Sequence, residues 1–284
     1  MSQLVGVHGI GNEYLGRRQI LDRWESALTD GLEWAIGHPP ANQPDLDLAF
    51  YGRLFRSAAE ATTEATGKGP AGGQAAAGLA DLDAEELSEL TEAVQEIVSP
   101  DDLANAGTGT DKALMRLPVP VQRLAGAVER HFPHASGIAV LGTLRQVRLY
   151  LRNPKVKAEA DRITAVAAAG CTALIGHSLG SVVAYEFLRQ NPGHSVKLML
   201  TVGSPLGLRM VRDRLPPGEL NVAQWVNVRD PHDPVTAAGA LGRWYPGVPD
   251  RQADNGWDAH AAERYLSSKA VGQALIETLP ELGQ

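Results

Sequence analysis

Five consecutive residues, Gly176-His177-Ser178-Leu179-Gly180, hold a serine between two glycines. An apolar run at 173–175 precedes them, and a helical pattern at 181–190 follows. A tight turn from a strand into a helix needs small flanking residues, and it leaves the serine side chain above the end of the strand. Free N–H groups at the start of the helix would then face any negative charge that develops there. The pattern predicts that Ser178 is a nucleophile, and the alternative is a plain strand-to-helix turn whose serine caps the helix.

The serine needs a base, because a hydroxyl is a weak nucleophile at neutral pH. Three histidines follow Ser178 in the sequence. His194 comes just after the helix, and His232 stands beside the candidate acids. His260 lies far enough beyond them for a further strand and a return loop. We therefore predict that His260 is the base, the alternative being a surface histidine at the start of a helix.

The base in turn needs a carboxylate that orients its ring. Asp230 and Asp233 both follow the apolar run at 224–228, which places both at the carboxyl end of one predicted strand. We favour Asp233, because an acid one loop beyond the strand can turn back toward His260, and we keep Asp230 as the second candidate. Each aspartate precedes a proline and could instead serve only a turn. A metal site built from His232, Asp233 and His260 is a weaker alternative, since His-x-x-His spacing is absent.

A developing oxyanion would need two backbone N–H groups. One is expected from Leu179, the residue after the serine. The other is expected from Ile10, in the loop His8-Gly9-Ile10-Gly11 that follows the apolar run at 4–7. A glycine-rich loop after a first strand could instead hold phosphate, but the spacing Gly-x-Gly-x-x-Gly is missing.

Apolar runs that end in turn residues alternate with helical patterns, which predicts a doubly wound, mostly parallel α/β sheet. Strands are predicted at 4–7, 46–51, 173–175, 196–202 and 224–228, and helices at 19–36, 158–169 and 181–190. The connection from 51 to 173 is far longer than a crossover needs. We divide the chain into an α/β core, 1–55 and 151–284, and an insertion, 56–150.

The insertion shows two helical patterns, near 87–97 and 121–132, and two segments expected to be flexible, 67–78 and 105–110. We predict that it forms a helical cap or lid over Ser178. A separate packing or dimer-forming element is the alternative.

Composition excludes several classes of protein. The 284 residues carry a formal net charge of -7, which argues against a nucleic-acid-binding protein. A single cysteine, Cys171, excludes an intrachain disulfide and a cysteine-based zinc site. No signal peptide and no apolar run of membrane-spanning length are visible, so we expect no transmembrane segment and a cytoplasmic location. The oligomeric state is left open.

Together these motifs resemble the α/β-hydrolase superfamily, of the lipase and esterase kind. The resemblance covers about half of the chain and rests on His8-Gly9-Ile10-Gly11, Gly176-His177-Ser178-Leu179-Gly180, Gly203-Ser204-Pro205-Leu206-Gly207, Asp233-Pro234-Val235 and His260. It implies cleavage of a carboxylic ester or thioester through an acyl-serine intermediate, without a cofactor. The implied substrates are small acyl compounds, including hydrophobic ones. The chain departs from many relatives because no long first hairpin is evident and the insertion precedes the serine. An acyltransferase or cyclase with the same triad, and a catalytically silent interaction module of this fold, are the alternatives.

Overall fold

Six parallel strands form one sheet at the centre of the chain. The computed structural model describes residues 3–9, 11, 15–55, 78–107, 114–215 and 217–284. The strands are β1 (Leu4–Val7), β2 (Leu46–Ala49), β3 (Ala173–His177), β4 (Leu198–Val202), β5 (Gln224–Arg229) and β6 (Asp250–Gln252). Their order across the sheet is β2-β1-β3-β4-β5-β6, and every neighbouring pair is parallel. The predicted α/β class is confirmed.

The central strands are apolar along their whole length because both faces of the sheet are covered. Every residue of β1, β3 and β4 is buried. Alternate side chains point to opposite faces, so Val5 and Leu174 pack in one apolar cluster while Leu4 and Ile175 pack in the other. A parallel strand buried on two sides reads in sequence as a continuous apolar run.

Helices complete the two outer layers. They are α1 (Arg17–Ile36), α2 (Ala84–Ile97), α3 (Pro100–Ala104), α4 (Val119–His131), α5 (Gly137–Arg152), α6 (Pro154–Ala167), α7 (Leu179–Gln190), α8 (Arg209–Arg212), α9 (Ala262–Leu266) and α10 (Lys269–Thr278). Helices α1, α9 and α10 cover one face of the sheet, and α6 and α7 cover the other together with the insertion. Among the described residues no helix is both long and apolar enough to cross a bilayer.

The predicted helices all occur, with their ends moved by a few residues. The elements that were not predicted are helices α3, α5, α8 and α10 and strand β6. Helix α5 is the longest of these. It is buried through residues such as Leu141, Leu144 and Val147, and it contacts α4, α6 and α7. Strand β6 was missed because it is three polar residues long and lies at the edge of the sheet.

The insertion is joined to the sheet by a shared apolar cluster. Leu90 of α2, Leu124 of α4 and Leu144 of α5 belong to the same cluster as Val5 and Leu174 of the sheet. In the described part of the chain, the insertion therefore has no apolar core separate from that of the sheet. Of the two segments predicted to be flexible, 67–77 and 108–110 lie outside the described residues.

A belt of ion pairs ties α2 to its neighbours. Glu89 accepts hydrogen bonds from Arg148 at 2.6 Å, from Arg214 at 2.6 Å and from Arg152. Arg148 and Arg152 lie on α5, whereas Arg214 follows α8 in the core. Burial alone would raise the pKa of Glu89, but the hydrogen bonds from Arg152 and Arg148 and the charges of Arg214 and Arg148 together outweigh it and hold that pKa below its ordinary value. Glu89 therefore stays ionised and links the insertion to the core.

Candidate active site

The direction of strand order reverses at β1, which pairs with β2 on one side and β3 on the other. Ligands of open α/β sheets bind at the carboxyl ends of the strands, beside such a switch point. The loops after β1 and β3 carry Gly9 and Ser178, and the loop after β5 carries Asp233. The topology thus collects the predicted site residues at one edge of the sheet.

Ser178 occupies a strained turn between β3 and α7. Its backbone angles are φ 53° and ψ -128°, a combination that side-chain-bearing residues rarely adopt. A Cβ on Gly180 would lie 1.8 Å from the carbonyl oxygen of Val7, and one on Gly176 would lie 2.6 Å from the Cα of Ser181. Both glycines are required because α7 docks against the backbone of β1 and turns directly back over β3.

Ser178, His260 and Asp233 are linked by two hydrogen bonds. The distance from Ser178 Oγ to His260 Nε2 is 2.9 Å, and from His260 Nδ1 to Asp233 Oδ2 it is 2.8 Å. A carboxylate can only accept, so the ring donates from Nδ1 and accepts the serine proton at Nε2. Ser178 and Asp233 are fully buried. The arrangement can transfer the hydroxyl proton to the imidazole and balance the resulting charge with a carboxylate.

Asp230, the second candidate acid, has a different set of partners. Its Oδ2 accepts from the backbone N–H of Asn255 at 2.6 Å, and its Oδ1 accepts from the N–H of His232 at 2.7 Å. The amide of Asn255 then donates to the carbonyl of Ala259 at 2.8 Å. Asp230 therefore braces the loop that carries His260, and the described contacts include no hydrogen bond between the two side chains.

The remaining candidate histidines lie away from the serine. His194 is paired with the carbonyl of Leu220 at 2.8 Å, and the side chain of His232 is 80% exposed beside Asp230. Within the described ranges no group of three His, Cys, Asp or Glu residues is placed to hold a metal ion.

Tyr265, on α9, joins the site without having been predicted. Its hydroxyl donates to Asp233 Oδ2 at 2.8 Å and accepts from the backbone N–H of Asp230 at 2.9 Å. Burial, followed by the nearby charge of Asp233, raises the pKa of this phenol far above its ordinary value. A tyrosine in a short helix gives no spacing signal in the sequence, because only the tertiary fold brings it to the aspartate.

His177, the residue before the serine, contacts His260 from behind. Its Nε2 lies 2.8 Å from the carbonyl oxygen of His260, and the two ring centroids are 4.9 Å apart. Burial, with a smaller effect of His260, lowers the pKa of His177 well below its usual value. The neutral ring therefore donates from Nε2 and fixes the backbone of His260.

The loop after β1 approaches the serine through Gly9. A Cβ at Gly9 would stand 2.7 Å from the Cβ of Ser178, so the bare backbone of this loop touches Ser178. Leu179 begins α7, where the first N–H groups of a helix have no partner within it. Ile10, predicted as the second oxyanion donor, lies outside the described residues.

His8 holds the described part of this loop. The backbone N–H of Tyr51 donates to His8 Nε2 at 3.2 Å, and His8 Nδ1 therefore carries the proton that it gives to the carbonyl of Gly9 at 2.6 Å. The Tyr51 hydroxyl donates to the carbonyl of His8. Burial lowers the pKa of His8 to about 4, so its ring is neutral at physiological pH.

A cavity of about 640 Å³ opens beside His260. One wall comes from the insertion, at the turn between α4 and α5, and the other from the loops after β5 and β6. Apolar side chains dominate its lining, among them Phe132, Ala135, Ala139, Val140, Val235 and Trp257. His260 is the one member of the hydrogen-bonded trio among the described lining residues, and Ser178 lies buried behind it.

No family model matches this chain, and comparisons with curated proteins and with solved structures likewise return no match.

Proposed function

We propose that this chain is a serine hydrolase of the α/β-hydrolase kind, which cleaves a carboxylic ester or thioester through an acyl-serine intermediate. The observation that carries the proposal is the continuous hydrogen-bonded series from Ser178 to His260 to Asp233, in which the serine is held in a strained turn before a helix. The order of these residues along the chain, serine then acid then histidine, is that of α/β-hydrolases.

In the proposed reaction His260 Nε2 takes the proton of Ser178 as the serine oxygen attacks the acyl carbon. The carbonyl oxygen becomes negatively charged and is stabilised by backbone N–H groups, which we assign to Leu179 and Ile10. The imidazolium, balanced by Asp233, gives its proton to the departing alcohol or thiol. Water then attacks the acyl-serine, His260 accepts a proton from that water, and Ser178 is restored together with the free acid.

We further propose that the insertion acts as a cap and that the acyl group enters the cavity beneath it. The support is placement, since residues of the α4–α5 turn face His260 across an apolar cavity of about 640 Å³. Cavities of this size accommodate a small organic ligand. A cover of this kind excludes water and strengthens the electrostatic interactions below it.

Labelling with a fluorophosphonate probe tests the proposed chemistry, because the probe phosphonylates an activated serine. We expect labelling and hydrolysis of p-nitrophenyl esters by the wild-type protein, and loss of both in Ser178→Ala, with kcat reduced at least a thousandfold. Ser26→Ala is the matched control, because Ser26 is an exposed serine of α1. The proposal fails if Ser178→Ala keeps more than about a tenth of the wild-type rate.

A further inference from the structure

A second hydrogen bond reaches the carboxylate that orients His260. Asp233 Oδ2 lies 2.8 Å from His260 Nδ1 and also 2.8 Å from the hydroxyl of Tyr265. The other carboxylate oxygen, Oδ1, accepts from the backbone N–H of Val235 at 2.9 Å. Two donors, an imidazole and a phenol, therefore share one oxygen atom.

The phenol is held where it is by contacts on several sides. Its oxygen accepts the backbone N–H of Asp230, so the hydroxyl hydrogen is directed to Asp233. Helix α9, which carries Tyr265, packs against α1. The ring edge also lies against the turn after β4, where a Cβ on Gly203 would meet it at 2.9 Å. The side chain is fully buried and has no room to swing away.

We infer that Tyr265 is a positioning residue of the active site, which fixes Asp233 and sets how strongly this carboxylate attracts the proton on His260. The inference rests on the proposed function, because it assigns a role in tuning the proposed base. A carboxylate that accepts a phenol hydrogen bond spreads part of its charge onto that bond and stabilises the imidazolium less. With the hydroxyl in place, His260 stays neutral, and competent as a base, to lower pH.

The other charged and titratable groups near His260 come from three directions. His177 lies behind the ring and is neutral. Asp230 donates its backbone N–H to the hydroxyl of Tyr265, and its charge also acts on that phenol. The cavity side presents His131, His134, His232, Asp254 and Asp258. Of these groups only Asp230 loses a partner when the hydroxyl of Tyr265 is removed, and that partner is bonded to its backbone N–H, which does not titrate. A shift of the acid limb between Tyr and Phe at 265 therefore reports on the bond to Asp233.

Tyr265→Phe removes the donor and retains the ring. We expect kcat to fall about tenfold, as for a lost hydrogen bond to a charged group. We expect the acid limb of the kcat/KM profile to move to higher pH by about half a unit or more. The pKa of His260, followed by ¹⁵N NMR in a Ser178→Ala background, should rise by the same amount.

Tyr150→Phe is the matched control, because Tyr150 is also fully buried and donates to a carboxylate, that of Asp161, at 2.6 Å. It should leave the acid limb unchanged. Fluorotyrosine incorporated at position 265 is a stronger donor and should move the acid limb to lower pH. This arm decides the question if Tyr265→Phe does not fold.

The inference is overturned if Tyr265→Phe and fluorotyrosine at 265 leave the acid limb and the NMR titration of His260 at their wild-type positions, even if kcat falls. Failure of the proposed function gives a different result. Fluorophosphonate would then not label Ser178, whereas the NMR titration needs no turnover and still reports on Tyr265.

Discussion

At the residue scale, Asp230 and Asp233 are neighbouring carboxylates with different hydrogen-bond partners. Both are fully buried after the same strand. One oxygen of Asp233 accepts hydrogen bonds from His260 and Tyr265. Both oxygens of Asp230 accept from backbone N–H groups, those of His232 and Asn255. One carboxylate faces the imidazole, and the other holds the loop that carries it.

We therefore expect Asp233→Asn and Asp230→Asn to fail in different ways. Asp233→Asn should lower kcat by several orders of magnitude, because an amide neither selects the right tautomer nor balances the imidazolium. Asp230→Asn should lower kcat much less and reduce the free energy of unfolding by about 1–3 kcal/mol, because one buried N–H loses its best acceptor. Steady-state kinetics and urea unfolding of both variants check this, and the opposite ranking in kcat would make Asp230 the triad acid.

The three hydrogen-bonded residues of the candidate site could be predicted from the sequence, but the residues that hold them in place could not. Ser178, Asp233 and His260 could be picked because each residue type is tied to a role and to an order along the chain. Their hydrogen-bonded geometry agrees with that prediction, while their catalytic roles and the oxyanion donors Leu179 and Ile10 stay predictions. Tyr265 and the contact of His177 with the His260 carbonyl could not be found, since they depend on how α9 and the return loop pack.

At the element scale, strands were easier to predict than the insertion. Parallel strands covered on two faces leave an apolar run whatever surrounds them. Helix α5 was not predicted as a packed helix of the insertion, because the charged positions of the stretch 145–157, among them Arg145, Arg148 and Arg152, read as an ordinary solvated helix face. In the structure two of them, Arg148 and Arg152, contact Glu89 of α2, and Arg145 lies near Glu86 of that helix. In sequence, a charged helix face that forms ion pairs with another helix looks the same as one that is exposed to water.

The ion pairs of Glu89 predict how α2 is held. Glu89 is 14% exposed and faces three arginines, whereas Glu92 of the same helix is 57% exposed and pairs with Arg209 at 3.3 Å. We expect Glu89→Gln to lower the free energy of unfolding by about 2 kcal/mol, and Glu92→Gln by less than about 0.5 kcal/mol. Chemical denaturation at low and high salt measures both, and equal losses would show that the Glu89 cluster is no stronger than a surface pair.

At the scale of the whole molecule, the cavity beside His260 needs both the insertion and the core. Cutting the insertion away is a poor test of its role, because its helices share an apolar cluster with the sheet. Ala139 offers a milder change. It is exposed, lines the cavity and lies on the first turn of α5.

We expect Ala139→Phe to shorten the acyl chain that the protein accepts. Each methylene group buried in an apolar cavity contributes about 0.8 kcal/mol, or about fourfold in kcat/KM. The ratio of kcat/KM for octanoyl and acetyl p-nitrophenyl esters should therefore fall about tenfold or more in the variant. Ala158→Phe, at an exposed position of α6, is the control and should keep the wild-type ratio. An unchanged ratio in Ala139→Phe would show that the acyl group does not bind in this cavity.

The central position of β1 has a consequence for the newly made chain. Its partner β3 follows only after about 165 further residues, so a ribosome needs roughly ten to thirty seconds to supply it. During that interval the edge of β1 that later pairs with β3 is bare, in addition to the outer edge of β2, and a bare edge invites pairing with other nascent chains. The helices translated meanwhile cover the two faces of this pair, α1 on one and α6 with the insertion on the other, but not the edge of β1. Slower translation or the absence of chaperones is therefore expected to lower the yield of folded protein, while the free energy of unfolding of the molecules that do fold stays unchanged.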